Sequence, residues 1–170
     1  MQRVAIVGPG GAGKSTFARQ LGLQMGLPVT HLDEHYWRPG WVEPTSDKWR
    51  EQQRALVAAE EWILDGNYGG TFDERLPHAD TLFIFGIPRL RCIQSVLIRT
   101  AKNHGKPAQA AGCPERFDAE FIKYLWHYPR DSRPRLDQAV EELGQHLRVI
   151  EFASRKEAQS FLGQAVAEEE

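Results

Sequence analysis

Apolar residues in this chain gather into five short runs, separated by stretches with a helical repeat. Arg3 to Val7 (RVAIV) reads as a strand of the kind buried on both faces of a parallel sheet. Val29 to Leu32, Trp62 to Asp65 (WILD), Thr81 to Phe85 (TLFIF) and Leu147 to Phe152 (LRVIEF) repeat the pattern. Phe17, Leu21 and Met25, spaced i, i+4, i+8, predict a helix over about Lys14–Met25. Trp49 and Leu56 lie two turns apart on another, from about Asp47 to Glu60. A long helix is predicted from about Leu90 to Asn103, and Phe117, Phe121, Tyr124, Leu125 and Tyr128 keep helical spacing further on. Ser154-x-x-Glu157 offers a capping box for a last helix, with Glu168-Glu169-Glu170 as its fraying acidic end. Strands alternating with helices predict an α/β fold, a parallel sheet covered on both faces. The passage from Gly105 to Pro114 has no apolar period and reads as a mobile loop. With no convincing linker, residues 1–170 are expected to form a single domain.

Composition narrows the function classes. The 170 residues are 41% hydrophobic and 26% charged, which fits a folded domain rather than a disordered chain. A net charge of −2 argues against a general nucleic-acid binder, which needs a basic face to displace counterions. The two cysteines, Cys92 and Cys113, have neither metal-ligand spacing nor a disulfide framework, and a reducing cytoplasm fits them. No apolar run approaches the roughly twenty residues of a membrane span.

The strongest chemical signal is GPGGAGKST, Gly8 to Thr16, which matches G-x-x-x-x-G-K-[S/T] between a predicted strand and a predicted helix. Such a P-loop curls so that consecutive N–H groups of Gly8, Pro9, Gly10, Gly11, Ala12, Gly13, Lys14, Ser15 and Thr16 (Pro9 excepted, which has none) surround phosphate oxygens, and the helix adds the positive end of its dipole. Lys14 can reach the β and γ phosphates, and the Ser15 hydroxyl can ligate Mg²⁺. ATP and Mg²⁺ are therefore the expected cofactors. A guanine-reading Asn-Lys-x-Asp tetrad is lacking, since AKNHG (Ala101 to Gly105) has no aspartate. A motor ATPase carries an acid at the end of a strand beside the P-loop strand; TLFIF ends in Gly86, which weakens that reading.

Ligands of open parallel sheets bind at the carboxyl ends of the strands. The passage HLDEHYWRPGWVEP, His31 to Pro44, begins at such an end. If the first two strands share a side of the sheet, Asp33 faces the γ-phosphate, where it could hold a water on Mg²⁺ or orient an acceptor hydroxyl and take its proton. Tyr36, Trp37 and Trp41 offer faces for a ring, worth about 1–3 kcal/mol for a stacked base, and Arg38 offers charge for an anionic group. The Asp65-Gly66-Asn67-Tyr68 turn forms a second wall, where Asn67 supplies a donor and an acceptor, and Asp65 equally well fixes the loop. Arg99 and Arg116 bracket the predicted mobile loop, so its closure would bring guanidinium groups to the transferred phosphate and exclude water. Arg130, Arg133 and Arg135 cluster around two prolines.

Taken in order, GPGGAGKST, HLDEHYWRPGW, WILDGNY, ADTLFIFGIPR, GCPERFDAEF and YPRDSRPR resemble the P-loop kinase superfamily that includes adenylate, shikimate and gluconate kinases, and within it the bacterial topology modulation protein family. The resemblance implies a P-loop NTPase fold with a sheet in the order 2-3-1-4-5, an acceptor-binding region at about 33–61, and a lid at about 100–116. It places Lys14, Ser15 and Thr16 on ATP and Mg²⁺, Asp33 beside the acceptor, and Arg116 as a phosphate-clamping lid residue. Two departures stand out: Gly86 replaces an aspartate usual in relatives, and GKPAQAAG (Gly105 to Gly112) lacks the arginine expected of a lid.

The expectation is a cytoplasmic kinase that phosphorylates a small acceptor, a nucleoside, nucleotide or related ring compound. Lys14, Asp33, Arg99 and Arg116 would be its catalytic residues. Tyr36, Trp37, Arg38, Trp41, Asn67 and Tyr68 would bind the acceptor alongside Asp33, and Ser15 would hold the metal. Two alternatives are an ATP-binding regulator and a nucleotide-binding module without turnover. Acceptor identity and oligomeric state are not read from the sequence.

Overall fold

The computed structural model describes residues 1–108 and 110–167, with side chains to 164; the acidic tail foreseen at 168–170 lies outside the described residues. Five parallel strands form one sheet: β1 (Arg3–Val7), β2 (Val29–His31), β3 (Trp62–Asp65), β4 (Thr81–Phe85) and β5 (Arg148–Phe152), in the order β2-β3-β1-β4-β5. Register puts Ile6 opposite both Asp65 and Phe83, so the carboxyl ends of the three central strands finish side by side.

Because the side-chain period of a strand is two, the three central strands feed both faces. On one face Val4, Ile6, Phe83, Phe85 and Phe152 pack against Phe17 and Leu21 of α1 (Lys14–Met25) and Leu162 of α8 (Arg155–Ala167). Phe17 meets the rings of Phe83, Phe85 and Phe152 edge-on at 5.0–5.4 Å, and each such buried ring contributes about 1.5–3 kcal/mol. On the other face Ala5, Val7, Leu64 and Leu82 meet Trp49 of α3 (Ser46–Val57) and Leu136 of α7 (Arg133–Leu143). Helix α3 turns Trp49, Gln53 and Val57 inward, so its buried seam runs one position away from the predicted Leu56.

Three further helices complete the shell: α4 (Phe72–Arg75), α5 (Arg89–Asn103) and α6 (Ala119–Asp131). The chain after β2 is also not all loop, since α2 (Leu32–Tyr36) follows directly. The capping box of α8 forms: the Glu157 N–H donates to Ser154 Oγ at 3.2 Å, and its carboxylate accepts from the Ala153 N–H at 2.8 Å.

Candidate functional site

At the carboxyl end of β1, the loop from Gly8 to Gly13 takes a shape that glycine makes possible. Gly11 and Gly13 have φ of 75° and 104°, in the left-handed region that side chains disfavour. At Gly11 a Cβ would also stand 2.5 Å from the Cys92 carbonyl of α5. Lys14 Nζ donates to the Pro9 carbonyl at 2.9 Å, and Arg155 of α8 donates to the carbonyls of Gly11 and Ala12 at 2.5 and 3.1 Å. These cations line the crevice and tie down three carbonyls of the loop. Helix α1 has no side-chain cap, and its first intrahelical bond comes from the Phe17 N–H to Gly13. The N–H groups of Lys14, Ser15 and Thr16 thus have no partner among the described residues, which suits them to an anion.

Two cavities meet at this loop. One, about 780 Å³, runs from the P-loop past Arg99 and Asn103 to Arg155 and Gln159 at the start of α8. The other, about 630 Å³, runs toward Tyr36, Tyr68, Phe121 and Tyr124. Lys14, Ser15, Asp33, Trp37, Trp41 and Arg99 line both. Asp33 therefore sits at the junction, exposed to it, and its Oδ1 accepts a hydrogen bond from the Tyr68 hydroxyl at 2.5 Å. Burial and the adjacent Asp33 charge push the Tyr68 phenol far up, so it stays a proton donor.

The aromatic residues divide. Trp37 and Trp41 are half-buried, with ring centroids 5.5 Å apart, and face the junction. Tyr36 reaches the second cavity but also packs on Trp37, Trp49 and Tyr68 at 4.7–5.0 Å. Arg38, expected to present charge there, lines neither cavity: it opens an exposed turn whose backbone pairs with Val42, and its side chain stays in solvent. Asn67 lines the second cavity, yet its amide is already engaged, donating to the Tyr124 hydroxyl and accepting from that of Tyr128, both at 3.1 Å. It acts as a strut between the β3 turn and α6.

Arg99 and Arg116 both reach the crevice. Arg99 Nε donates to Glu115 Oε1 at 3.2 Å, and the Arg116 guanidinium lies 5.8 Å from the centre of the Trp41 ring. The passage between them, expected to be mobile, is hydrogen-bonded. Glu115 exchanges bonds with Gly105 and Lys106, and the Ala108 N–H donates to Cys113. This hairpin docks on the 38–41 turn: the Gly40 N–H donates to Gly112, the Trp41 indole to Pro114 and the Cys113 thiol to Arg38. Two prolines and a run of small residues hid it from a search for apolar period. Of the three arginines near the α6–α7 corner, Arg130 pairs with Asp131 and Arg133 with Asp137 and Glu151, whereas Arg135 lines the second cavity.

The vacancy at Gly86 has a structural counterpart. A Cβ there would stand 2.6 Å from Glu151 Oε1, the exposed end of a side chain paired with Arg133, so an acid at position 86 would have to displace a like charge. The acid beside the P-loop strand stands instead on the other neighbour: Asp65 ends β3 and is 4% exposed. The signal, an acid closing the apolar run WILD, is legible in the sequence, where Asp65 reads equally as part of a crevice wall and as a brace for the loop. Asp65 Oδ2 accepts from His31 Nδ1 at 2.8 Å, while Oδ1 has no partner among the described residues. Burial pushes this carboxyl up, but the His31 hydrogen bond, the Lys14 charge and the Ser15 hydroxyl outweigh it and hold it below the usual range.

No cluster of three or more metal-ligating side chains occurs among the described residues. A Mg²⁺ shared with phosphates does not need one, since it keeps waters and takes only one or two protein oxygens. The Ser15 hydroxyl and the unpartnered, buried Asp65 Oδ1 fit that requirement. Among the described residues no helix is long and apolar enough to cross a membrane.

No protein-family model matches this sequence, and no curated protein matches it. Solved structures do. A shikimate kinase from Acinetobacter baumannii, in complex with shikimate, aligns with a TM-score of 0.57 at 19% identity, covering 99% of this chain and 94% of that one. An unliganded sugar kinase from Janibacter sp. aligns at 0.58 and 14% identity over 98% and 93% of the two chains. A deoxyadenosine kinase from M. mycoides with bound dATP aligns at 0.54 and 13% identity over 97% and 99%. The chain has the α/β fold of these small-molecule P-loop kinases.

Proposed function

We propose that this chain is an ATP- and Mg²⁺-dependent kinase that phosphorylates a hydroxyl group of a small ring-bearing acceptor, such as a nucleoside or a related compound. The observation that carries the reading is Asp33, a carboxylate held by Tyr68 at the junction of the phosphate cradle and the aromatic cavity. A carboxylate at the point of transfer repels a phosphate acceptor. A hydroxyl, by contrast, needs one, to orient it and receive its proton.

In this reading the N–H groups of Lys14, Ser15 and Thr16 and the Lys14 ammonium hold the triphosphate in the larger cavity, with its base end toward Arg155 and Gln159. Ser15 and Asp65 are the residues that would hold Mg²⁺, which when bound neutralises phosphate charge. The acceptor ring lies among Trp37, Trp41 and Tyr36, and Asp33 aligns its hydroxyl. As the acceptor oxygen bonds to the γ phosphorus, the bond from phosphorus to the β–γ bridging oxygen breaks. The hydroxyl proton passes to Asp33, and ADP leaves with the charge of the bridging oxygen. Lys14, Arg99 and Arg116 stabilise the charge spread over the equatorial oxygens. The hairpin at 105–115 acts as the lid that keeps water out. Buried, unpaired Cys92 and Cys113 suit a cytoplasmic setting, and the nature of the site calls for no nucleic acid.

The test is ADP release from MgATP against a panel of hydroxylated ring compounds. One member should raise turnover well above slow basal hydrolysis, and Asp33→Asn should remove about 10²-fold or more of it. Equal turnover whatever is added, with ATP-sensitive binding to a macromolecule, would replace the kinase with a regulator. ATP binding with no turnover would leave a nucleotide-binding module.

A further inference from the structure

Among the glycines from Gly8 to Gly13, Gly10 alone has no left-handed φ, so its backbone does not call for glycine. Its neighbour does. A Cβ at Gly10 would run into Cζ of Phe121 and stand 3.2 and 3.3 Å from the two Cε atoms of that ring. Phe121 belongs to the first turn of α6, and its ring end rests directly on the phosphate loop. The ring is held from behind as well. The Phe121 N–H donates to Asp118 Oδ1 at 3.0 Å, a cap that fixes the start of the helix. The ring stacks on that of Tyr124, with centroids 6.0 Å apart and planes 17° from parallel. The Tyr124 hydroxyl is in turn tied to Asn67 of the β3 turn. Gly10 and Phe121 line the smaller cavity and not the larger, whereas Lys14 and Ser15 line both. The half-buried ring therefore covers the loop on the side from which an attacking oxygen would reach a phosphate held by Lys14 and Ser15.

We propose that Phe121 is the water-excluding wall of the transfer site, whose ring takes the space beside the γ phosphate that water would otherwise fill and so protects ATP until an acceptor arrives. Attack by water would join its oxygen to the γ phosphorus and break the same bond to the β–γ bridging oxygen. One water proton would pass to Asp33, and ADP and inorganic phosphate would leave. An aromatic ring edge offers that water no hydrogen-bond partner and occupies the volume it needs. Glycine at position 10 is what lets the ring come so close. The hairpin and the ring act at different places, since the hairpin docks on the 38–41 turn and the ring on the phosphate loop itself. Competition between water and an acceptor hydroxyl rests on the kinase reading, but the cover over the loop does not.

The test is release of inorganic phosphate from MgATP with no acceptor added, alongside MgADP affinity by calorimetry. Phe121→Ala should raise the basal rate about tenfold at an unchanged KM for ATP and an unchanged MgADP affinity, a gain that general damage to the fold does not produce. Phe121→Leu keeps part of the apolar cover and should fall between wild type and Phe121→Ala; it carries the test if the alanine variant fails to fold. Trp126→Ala, on the same helix but lining neither cavity, should keep the wild-type rate. A rate that stays level or drops in the Phe121 variants would overturn the proposal. So would an equal rise in Trp126→Ala, or a rise that comes with weaker MgADP binding. Because the readout contains no acceptor, a panel in which no compound accelerates turnover would sink the kinase and leave the shield standing. Unchanged hydrolysis in the variants beside a responsive panel would do the reverse.

Discussion

Asp65→Asn tests the nucleotide site where sequence reasoning was weakest. The substitution keeps the shape and one carbonyl oxygen but removes a charge that is 4% exposed, hydrogen-bonded to His31 at 2.8 Å and close to Lys14 and Ser15. A hydrogen bond to a charged group contributes about 1.5–3 kcal/mol. Relief from burying the carboxylate returns part of that, so the expected loss of stability at neutral pH is about 1–2 kcal/mol. The pH dependence is sharper. The native carboxyl titrates below its unfolded value of about 3.9. Between those two values the unfolded chain binds the extra proton, so this contribution is fully present above the unfolded value and fades as pH falls through the native one. Urea unfolding from pH 7 down to pH 2 should show wild type and variant converging at the acid end. Calorimetry should also show the Mg²⁺-dependent part of ADP affinity falling about tenfold, with the affinity in excess EDTA unchanged. Parallel acid limbs and an unaltered Mg²⁺ effect would refute the reasoning.

Tyr68→Phe should lower the transfer rate about tenfold at an unchanged KM for ATP, since it frees Asp33 without touching the P-loop, and because Asp33 is exposed the melting point should reflect a loss of only about 1 kcal/mol; a doubled KM for ATP with full kcat would contradict this. Gly86→Asp, the substitution that restores the acid usual in the resembled family, should destabilise by no more than about 1 kcal/mol, because its Cβ meets only the exposed end of Glu151 at 2.6 Å and adds a like charge beside it. It should leave MgADP affinity unchanged, and a tighter complex would show that the β4 end still serves the metal.

What the sequence made legible was whatever a local pattern encodes. RVAIV, WILD and TLFIF became β1, β3 and β4 with the predicted bounds, because central parallel strands are apolar on both faces. The P-loop was legible because its spacing is its geometry. Helix α7 was not, since Arg133-Pro134-Arg135 reads as a breaker although proline at the start of a helix fits well. Arg38 and Arg135 were exchanged for a similar reason: a charge next to tryptophans looks like a ligand, but the short turn at 38–42 faces it outward, while α7 brings Arg135 in from a hundred residues away. No local pattern carries a contact at that separation.

The same limit explains how a chain of net charge −2 builds a site for anions. Arg155 is 144 residues from Gly11, whose carbonyl it binds, and Arg75 lies in a helix next to the turn it braces. Arg155 takes loop carbonyls while lining the larger cavity itself, whereas Arg75 takes the three carbonyls of Gly66, Asn67 and Tyr68 without lining either cavity. A planar trans peptide carries its N–H opposite its carbonyl, so a cation bound to carbonyls orients amides. Composition counts the cations but not the amides, and formal charge therefore says little about such a pocket.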